Sequence, residues 1–175
     1  MKFNKITISG GICTGKTTLY RALEKKLGWK TYSTGQFFRD YAKKHKLDLE
    51  TGKEQSDEIT KKIDYQVQKL LKEKKHIIVE GWLAGIMANK FPGILKVLLT
   101  CADEERVKRF ACREDTSYPE ASYRVHSRQQ SWLKEIERIH NQKEVFNPKH
   151  YDLLIDTTEL TPKQIQKRVL QTLED

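Results

Sequence analysis

Gly10-Gly11-Ile12-Cys13-Thr14-Gly15-Lys16-Thr17 is the stretch that decides the fold of this 175-residue chain. It matches the pattern G-x-x-x-x-G-K-[ST]. The residues before it, 3–9, mix Phe, Ile and Thr as a buried strand does. After it, apolar residues recur at helical spacing from Leu19 to Leu27, and Gly28 follows as a helix C-cap. This pattern between a strand and a helix predicts a phosphate-binding loop.

The chemistry of phosphate binding explains the residue types in this loop. Gly10 and Gly15 let the backbone curl until its N–H groups face a phosphate, and the following helix adds its positive end. Lys16 brings a mobile charge to the β and γ phosphates of ATP, and the Thr17 hydroxyl is a ligand for Mg²⁺. The alternative is that a glycine turn before a helix matches the pattern by chance. A chance match is less frequent when the pattern also lies between a strand and a helix. We therefore expect an ATP-binding segment made of Gly10, Gly11, Ile12, Cys13, Thr14, Gly15, Lys16, Thr17 and Thr18, with the Cys13 side chain facing away from the phosphates.

Strands and helices alternate along the rest of the sequence. Further strands are predicted at 29–33, 76–79, 94–100 and 151–156, and further helices at 35–46, 59–75, 103–113, 120–139 and from Pro162 onward. Asp103 is predicted to cap the 103–113 helix. Such alternation is typical of a parallel sheet covered by helices on both faces, whose ligands bind beyond the carboxyl ends of the strands.

Composition narrows the class of protein. The 33 Lys and Arg residues outnumber the 24 Asp and Glu residues, which gives a formal charge of +9. Such a charge can indicate nucleic-acid binding. However, much of the positive charge lies in runs such as 43–46 and 72–75, which are typical of solvated helix ends. The three cysteines have no CxxC spacing, so neither a disulfide framework nor a zinc site is indicated, even with His126 and His140 near Cys112. With no signal-peptide or membrane-span pattern, we expect a single cytoplasmic domain over residues 1–175.

Two candidate residues follow other predicted strands. Arg39 lies one helical turn along the helix that begins near Gly35, after the 29–33 strand, where a guanidinium can clamp an acceptor phosphate through two hydrogen bonds. Glu80 directly follows the 76–79 strand, where its carboxylate can face the metal and the transferred group. The alternatives are a surface arginine and a carboxylate at a helix N-terminus.

Arginines surround a break in the chain at 116–119. They are Arg106, Arg109, Arg113, Arg124 and Arg128. Phosphoryl transfer depends on positioning and on stabilising the charge that develops, so arginines on a closing flap suit that chemistry. Ordinary surface helices also carry arginines, and this alternative applies to each residue taken singly.

These segments together resemble the short cytidylate kinases of the archaeal type. That family follows its P-loop with Ser-x-Gly-x-x-Phe-Arg, Glu-Gly-Arg-Leu-Ala-Gly, an arginine lid, and Tyr-Asp-Leu, two hydrophobic residues, Asn or Asp, and Thr. The counterparts here are residues 33–39, 80–85, 109–128 and 151–157, so the resemblance covers nearly the whole chain. It implies a P-loop nucleoside monophosphate kinase fold with five parallel strands and an arginine-rich helical lid. The implied division is a core of 1–33, 76–102 and 150–175, acceptor-binding helices at about 34–75, and a lid at about 103–140.

The resemblance also implies roles for individual residues. It implies that Lys16 and Thr17 serve ATP and Mg²⁺, that Arg39 holds the acceptor phosphate, and that Arg109, Arg113 and Arg128 belong to the lid. Together with the position of Glu80, we expect catalysis by Lys16, Glu80, Arg109, Arg113 and Arg128, Mg²⁺ binding by Thr17 and Glu80, and acceptor binding by Ser33, Gly35, Arg39, Gly81 and Trp82. Two positions depart from the family, which usually has Asp at Gln36 and Arg at Trp82. Loss of the second charge costs about 1.5–3 kcal/mol of acceptor binding unless a neighbouring cation replaces it. Trp82 either stacks on a base or packs in the core.

The sequence thus predicts a monomeric kinase that uses ATP and Mg²⁺ to phosphorylate a nucleoside monophosphate, with CMP or dCMP as the acceptor. Two alternatives stay open. One is a P-loop kinase for AMP, UMP or a small metabolite. The other is a nucleotide-binding protein, or a nucleic-acid adaptor, that has lost the transfer reaction.

Overall fold

A five-stranded parallel sheet forms the centre of the computed structural model, which describes residues 2–47 and 57–174. The strands are β1 Lys5–Gly10, β2 Lys30–Ser33, β3 Ile77–Glu80, β4 Ile94–Thr100 and β5 Leu153–Asp156. Their spatial order is β2-β3-β1-β4-β5, so β1 lies between two strands that come later in the chain. The predicted sheet is confirmed. This order places the loop after β1 at a topological switch point, where such sheets bind ligands.

Seven helices connect and cover these strands in the described part of the chain. They are α1 Lys16–Leu27, α2 Thr34–His45, α3 Asp57–Glu73, α4 Ala84–Ala88, α5 Asp103–Glu114, α6 Tyr118–His140 and α7 Pro162–Glu174. The short helix α4 and a 3-10 turn at Pro148–His150 were not predicted, because neither is long enough to show a helical period in sequence. No helix among the described residues has the length and apolar content needed to cross a membrane.

The core has two sides, one on each face of the sheet. On one face, Leu19 and Leu23 of α1 and Val169 of α7 are buried against β1 and β4. On the other face, α3 and α4 pack on β3 through a second apolar cluster that includes Val67 and Ala84. The chain is therefore a three-layer α/β structure, as its alternating pattern predicts.

The α5–α6 hairpin packs on the phosphate-binding loop. Phe110 is fully buried between the two helices, and Ile12 of the loop belongs to the same apolar cluster. The division into core, acceptor helices and lid stays a prediction, and its residues 48–56 lie outside the described part.

Helix ends test the capping predictions. Gly28 has φ 64°, and its N–H donates to the carbonyl of Glu24 at 2.9 Å, which confirms the predicted C-cap. The prediction for Asp103 was wrong. Ala102 is the N-cap of α5, with no side-chain cap, and Asp103 lies in the first turn, where its carboxylate contacts Arg106 and His126. A carboxylate there still suits the positive helix end.

Candidate active site

The carboxyl ends of β1, β2 and β3 meet beside a cavity of about 990 Å³. Most predicted site residues of the described chain line it: Ile12, Cys13, Gly15, Lys16, Thr17, Thr18, Gly35, Arg39, Glu80, Gly81, Trp82, Arg109, Arg113 and Arg128. Gly10, Gly11, Thr14 and Ser33 are not among the lining residues. The structure thus brings the ATP-binding and acceptor candidates to one cavity.

The loop after β1 has the backbone that its sequence predicts. Gly15 has φ 91° and precedes α1 as its N-cap, a conformation that residues with a Cβ rarely adopt. Cys13 also has a positive φ, of 58°, although it is not glycine, and its side chain packs against the Ile12 cluster. Burial raises the pKa of the Cys13 thiol above its ordinary value, so the thiol stays protonated.

Lys16 is held inside this loop. Only 9% of the residue is exposed, and its Nζ donates to the carbonyl of Gly11 at 2.6 Å. Burial lowers the pKa of Lys16 to about 8, and the negative charge of Glu80 opposes that shift. A buried ammonium that donates to a backbone carbonyl is ready to exchange that carbonyl for a phosphate oxygen.

Glu80 and Ser33 couple two neighbouring strands. Glu80 ends β3 and is 3% exposed, and the Ser33 hydroxyl at the end of β2 donates to its carboxylate. The same Ser33 oxygen accepts the N–H of Gln36 at 3.1 Å, which caps α2. The capping role was not predicted. It fixes both the carboxylate and the start of the helix that carries Arg39.

Arg39 projects from α2 as an exposed side chain at the cavity. Its Nη2 donates to Oε1 of Gln36 at 3.0 Å, and the Gln36 amide donates in turn to Asp40 at 2.8 Å. Gln36, which stands where the resembled family has Asp, therefore orients Arg39 without neutralising its charge. Trp82 lines the cavity and also packs on Phe146, with ring centroids 5.6 Å apart.

The arginines of α5 differ in how firmly they are held. Arg109 donates to the carbonyl of Thr157 at 2.8 Å and to the carboxylate of Glu105 at 2.9 Å, which ties it to the loop after β5. Arg113 lies farther along the helix, 53% exposed, with its guanidinium over the Phe110 ring. Arg109 is thus fixed beside the phosphate-binding loop, whereas Arg113 is exposed at the cavity.

Arg106 is a functional candidate to which the sequence analysis gave no role of its own. Its Nε donates to the carbonyl of Ile12 at 2.9 Å, and its Nη2 donates to Oε1 of Gln129 in α6 at 2.6 Å. A Cβ on Gly11 would stand 2.7 Å from that same Gln129 oxygen, so a larger residue there would displace the Gln129 side chain from Arg106. In the sequence, the group of arginines between 106 and 128 indicated a functional region, but it did not distinguish Arg106 from the other arginines.

The charge of the cavity suits phosphate groups. Basic lining residues of the described chain are Lys16, Arg21, Arg39, Arg109, Arg113, Arg124 and Arg128, and acidic ones are Asp64, Glu80 and Glu114. Sequence reasoning also missed Asp64, although it shares the inward face of α3 with Thr60 and Val67 at helical spacing. The described residues contain no cluster of three or more His, Cys, Asp or Glu side chains that could hold a metal by themselves.

Comparisons with known proteins agree with this architecture. A family model described as "AAA domain" matches residues 6–146. The chain is 31% identical to the cytidylate kinase of Sulfolobus acidocaldarius over 95% of its own length and 92% of that protein. It is 32% identical to the cytidylate kinase of Methanobrevibacter smithii, with 97% and 98% covered.

Solved structures show the same fold at low sequence identity. An uncharacterised protein from Eubacterium ventriosum superposes with a TM-score of 0.76 at 14% identity, with 98% of both chains covered. A gluconokinase from Sinorhizobium meliloti superposes with a TM-score of 0.63 at 13% identity, with 99% of this chain and 94% of the gluconokinase covered. The near-complete match to the curated relatives decides the family, and the chain therefore belongs to the cytidylate kinase family of P-loop kinases.

Proposed function

We propose that this protein transfers the γ-phosphoryl group of ATP to CMP or dCMP, as a cytoplasmic monomer. The observation that carries the proposal is that Lys16, in the phosphate-binding loop, and Arg39, on the first helix after β2, line the same cavity. A kinase needs two phosphate sites that face one reaction centre, because the attacking and leaving oxygens must lie roughly in line. The relatives named cytidylate kinase support the choice of acceptor.

The proposed mechanism relies on positioning and on charge. Residues 10–18 hold the phosphates of ATP, with Lys16 beside the β and γ groups. Arg39 pins the phosphate of the acceptor, so that one of its oxygens attacks the γ phosphorus. Arg113 and Arg128, which also line the cavity, stabilise the negative charge that spreads over the transferred group. Arg109 holds the loop that carries Thr157 against the ATP side.

Magnesium has a suitable set of ligands in this cavity. Mg²⁺ is usually held by one or two carboxylates or hydroxyls together with substrate phosphates and water. Thr17 lines the cavity at the start of α1, and Glu80 is a buried carboxylate beside Lys16. We propose that these two side chains hold Mg²⁺, directly or through water. When bound, the ion neutralises charge on the β and γ phosphates.

Trp82 affects how the acceptor is bound, because the resembled family has Arg at this position. The aromatic ring both lines the cavity and packs on Phe146, so it contributes apolar surface in place of a charge. We propose that Arg39, with the arginines of α6 that line the cavity, takes over the acceptor phosphate. Trp82 then forms part of the apolar wall that covers the nucleoside.

A panel of acceptors tests the function. ADP release from ATP and Mg²⁺ is measured with CMP, dCMP, UMP, AMP and, as non-nucleotide acceptors, gluconate and shikimate. We expect CMP or dCMP to give the highest kcat/KM, and a chelator to abolish turnover. Turnover should depend on Lys16, so Lys16→Ala is assayed beside Lys25→Ala, a matched control that replaces an exposed lysine on the same helix.

Three results contradict the proposal in different ways. If another acceptor is preferred and CMP gives no rate above ATP hydrolysis, the protein is a P-loop kinase with a different substrate. If ATP binds tightly but no acceptor is phosphorylated, transfer has been lost. If turnover persists without a divalent cation, the magnesium assignment is wrong.

A further inference from the structure

Asp64 is a buried carboxyl at the acceptor side of the cavity that the reaction described above does not use. It lies on the inward face of α3, one turn after Thr60 and one turn before Val67, and it is 8% exposed. All three residues line the cavity. A carboxylate in such a place is costly unless it is paired, so its retention calls for a partner or a ligand.

The partner is His140, at the end of α6. Its Nε2 lies 2.5 Å from Oδ2 of Asp64, and the two side chains are 16% and 12% exposed. Burial raises the pKa of Asp64, whereas the neighbouring imidazole acts in the opposite direction and favours the carboxylate. His140 is not among the residues that line the cavity, so it supports Asp64 from behind.

The side chains around Asp64 suit a nucleobase rather than a phosphate group. Apolar side chains line the cavity near α3, α4 and the second half of α6, among them Val67, Met87 and Ile136. The other two acidic lining residues have different settings, because Glu80 accepts a hydrogen bond from Ser33 and Glu114 pairs with Arg113 on α5. Because Arg39 and Asp64 line the same cavity, an acceptor phosphate at Arg39 leaves the apolar wall around Asp64 for the base.

Pyrimidine bases differ in what they offer a carboxylate. Cytosine has an exocyclic amine at C4 that donates hydrogen bonds, whereas uracil has a carbonyl oxygen there that only accepts them. A carboxylate acceptor therefore pairs with cytosine and opposes the O4 atom of uracil, and a site with a buried acceptor discriminates strongly when its partner is missing. On the basis of the proposed function, we propose that Asp64, held by His140, selects the acceptor by binding the exocyclic amine of its base.

The test is the ratio of kcat/KM for CMP to kcat/KM for UMP in wild-type protein and in Asp64→Asn. The amide of Asn keeps the shape but carries no negative charge to attract the amine of cytosine and can donate to O4 of uracil, so the ratio falls at least about tenfold through loss with CMP and gain with UMP. The KM for ATP stays unchanged. Asp57→Asn is the matched control, because Asp57 is an exposed aspartate on the same helix that pairs with Arg138 of α6, as Asp64 pairs with His140.

A structural role for Asp64 predicts a different result, in which all acceptors lose equally and the ratio stays at its wild-type value. That outcome, or a ratio that rises, overturns the inference. Should Asp64→Asn fail to fold, wild-type protein answers the question with the ribonucleoside monophosphate of pyrimidin-2-one, which is CMP without its amine. We expect at least about a tenfold lower kcat/KM than with CMP, and equal values reject the role of the amine.

These outcomes are separate from failure of the proposed function. If wild-type protein phosphorylates no nucleoside monophosphate, the proposed function fails before any variant is compared. If wild-type protein phosphorylates CMP and the ratio is insensitive to Asp64, only the present inference fails.

Discussion

The two halves of the cavity are built differently. The ATP half consists of residues 10–18 with Arg106, Arg109 and the loop at Thr157, and Lys16, Arg106 and Arg109 each donate to a backbone carbonyl. The acceptor half consists of α2, α3 and residues 80–83, and side chains on helices hold its charged groups, as Gln36 holds Arg39 and His140 holds Asp64. Backbone contacts depend on the fold alone, whereas side-chain contacts depend on which residues are present. The ATP half should therefore tolerate little change, and the acceptor half is where specificity can vary.

The largest effect is expected at Lys16. Lys16→Ala removes the buried charge that faces the β and γ phosphates, so kcat/KM falls about 100- to 1000-fold. Steady-state kinetics with saturating acceptor measure it, with Lys25→Ala as the control. A loss of less than about tenfold would contradict the expectation that the ATP half tolerates little change.

Arg39 should give the next largest effect, and only on the acceptor. Arg39→Ala removes a charge-assisted hydrogen bond worth about 1.5–3 kcal/mol, which raises the KM for the nucleoside monophosphate roughly 10- to 100-fold. The KM for ATP should not change. Lys43→Ala is the control, since Lys43 is an exposed cation one turn farther along α2. Equal changes in the KM for ATP and the KM for the nucleoside monophosphate would contradict the division of the cavity into two halves.

Arg106 sharpens the comparison within the ATP half. Arg106→Lys keeps the charge but replaces the two nitrogens that contact the carbonyl of Ile12 and the side chain of Gln129 with one ammonium nitrogen, which lacks the planar fork. We expect the KM for ATP to rise about three- to tenfold, with the KM for the acceptor unchanged. Lys108→Arg, an exposed basic exchange on α5, is the control. An unchanged KM for ATP would show that the loop holds its shape without Arg106.

The smallest effect is a proton taken up on binding. The pKa of Lys16 is lowered to about 8 from an ordinary value of 10.5, so part of the population is neutral at slightly alkaline pH. Phosphates favour the charged form, so ATP binding near pH 8.5 should take up about half a proton or more. Calorimetry in two buffers of different ionisation enthalpy measures it, and Lys16→Ala should abolish it. Release of protons would contradict the assignment.

The same pKa has a consequence for stability without nucleotide. Because folding lowers the pKa of Lys16, the unfolded chain binds more protons in the window from about 8 to 10.5. The contribution of Lys16 to the free energy of unfolding therefore increases as the pH rises through that window. Below it, the buried charge destabilises the nucleotide-free fold.

Sequence reasoning worked best where the determinants are local. The loop at 10–17, the Gly28 cap and the five strands each follow from residue type and spacing within a few positions. The structure also places Lys16 and Arg39 at one cavity, as the ends of parallel strands require. In contrast, the N-cap assigned to Asp103 was wrong by one position: α5 begins after Ala102, and the Asp103 carboxylate contacts Arg106 and the distant His126 instead of capping the helix.

The contacts that sequence could not supply join distant parts of the chain. Arg106 reaches the carbonyl of Ile12, 94 positions away, and Arg109 reaches Thr157, 48 positions away. Nothing in the spacing of the arginines distinguishes these anchored members from Arg113, which is exposed. Asp64 was overlooked because a single aspartate among apolar positions does not disturb the helical period of α3.

The most direct test of the central claim uses a bisubstrate mimic, in which adenosine and cytidine are joined through their 5′ oxygens by a chain of phosphates. The measurement is its affinity, compared with that of ATP, for wild-type protein and for Arg39→Ala. The account predicts that wild-type protein binds the mimic at least about tenfold more tightly than ATP, and that Arg39→Ala removes that advantage while its affinity for ATP is unchanged. Equal affinities of wild-type protein for the mimic and for ATP, or an advantage that survives in Arg39→Ala, would contradict it.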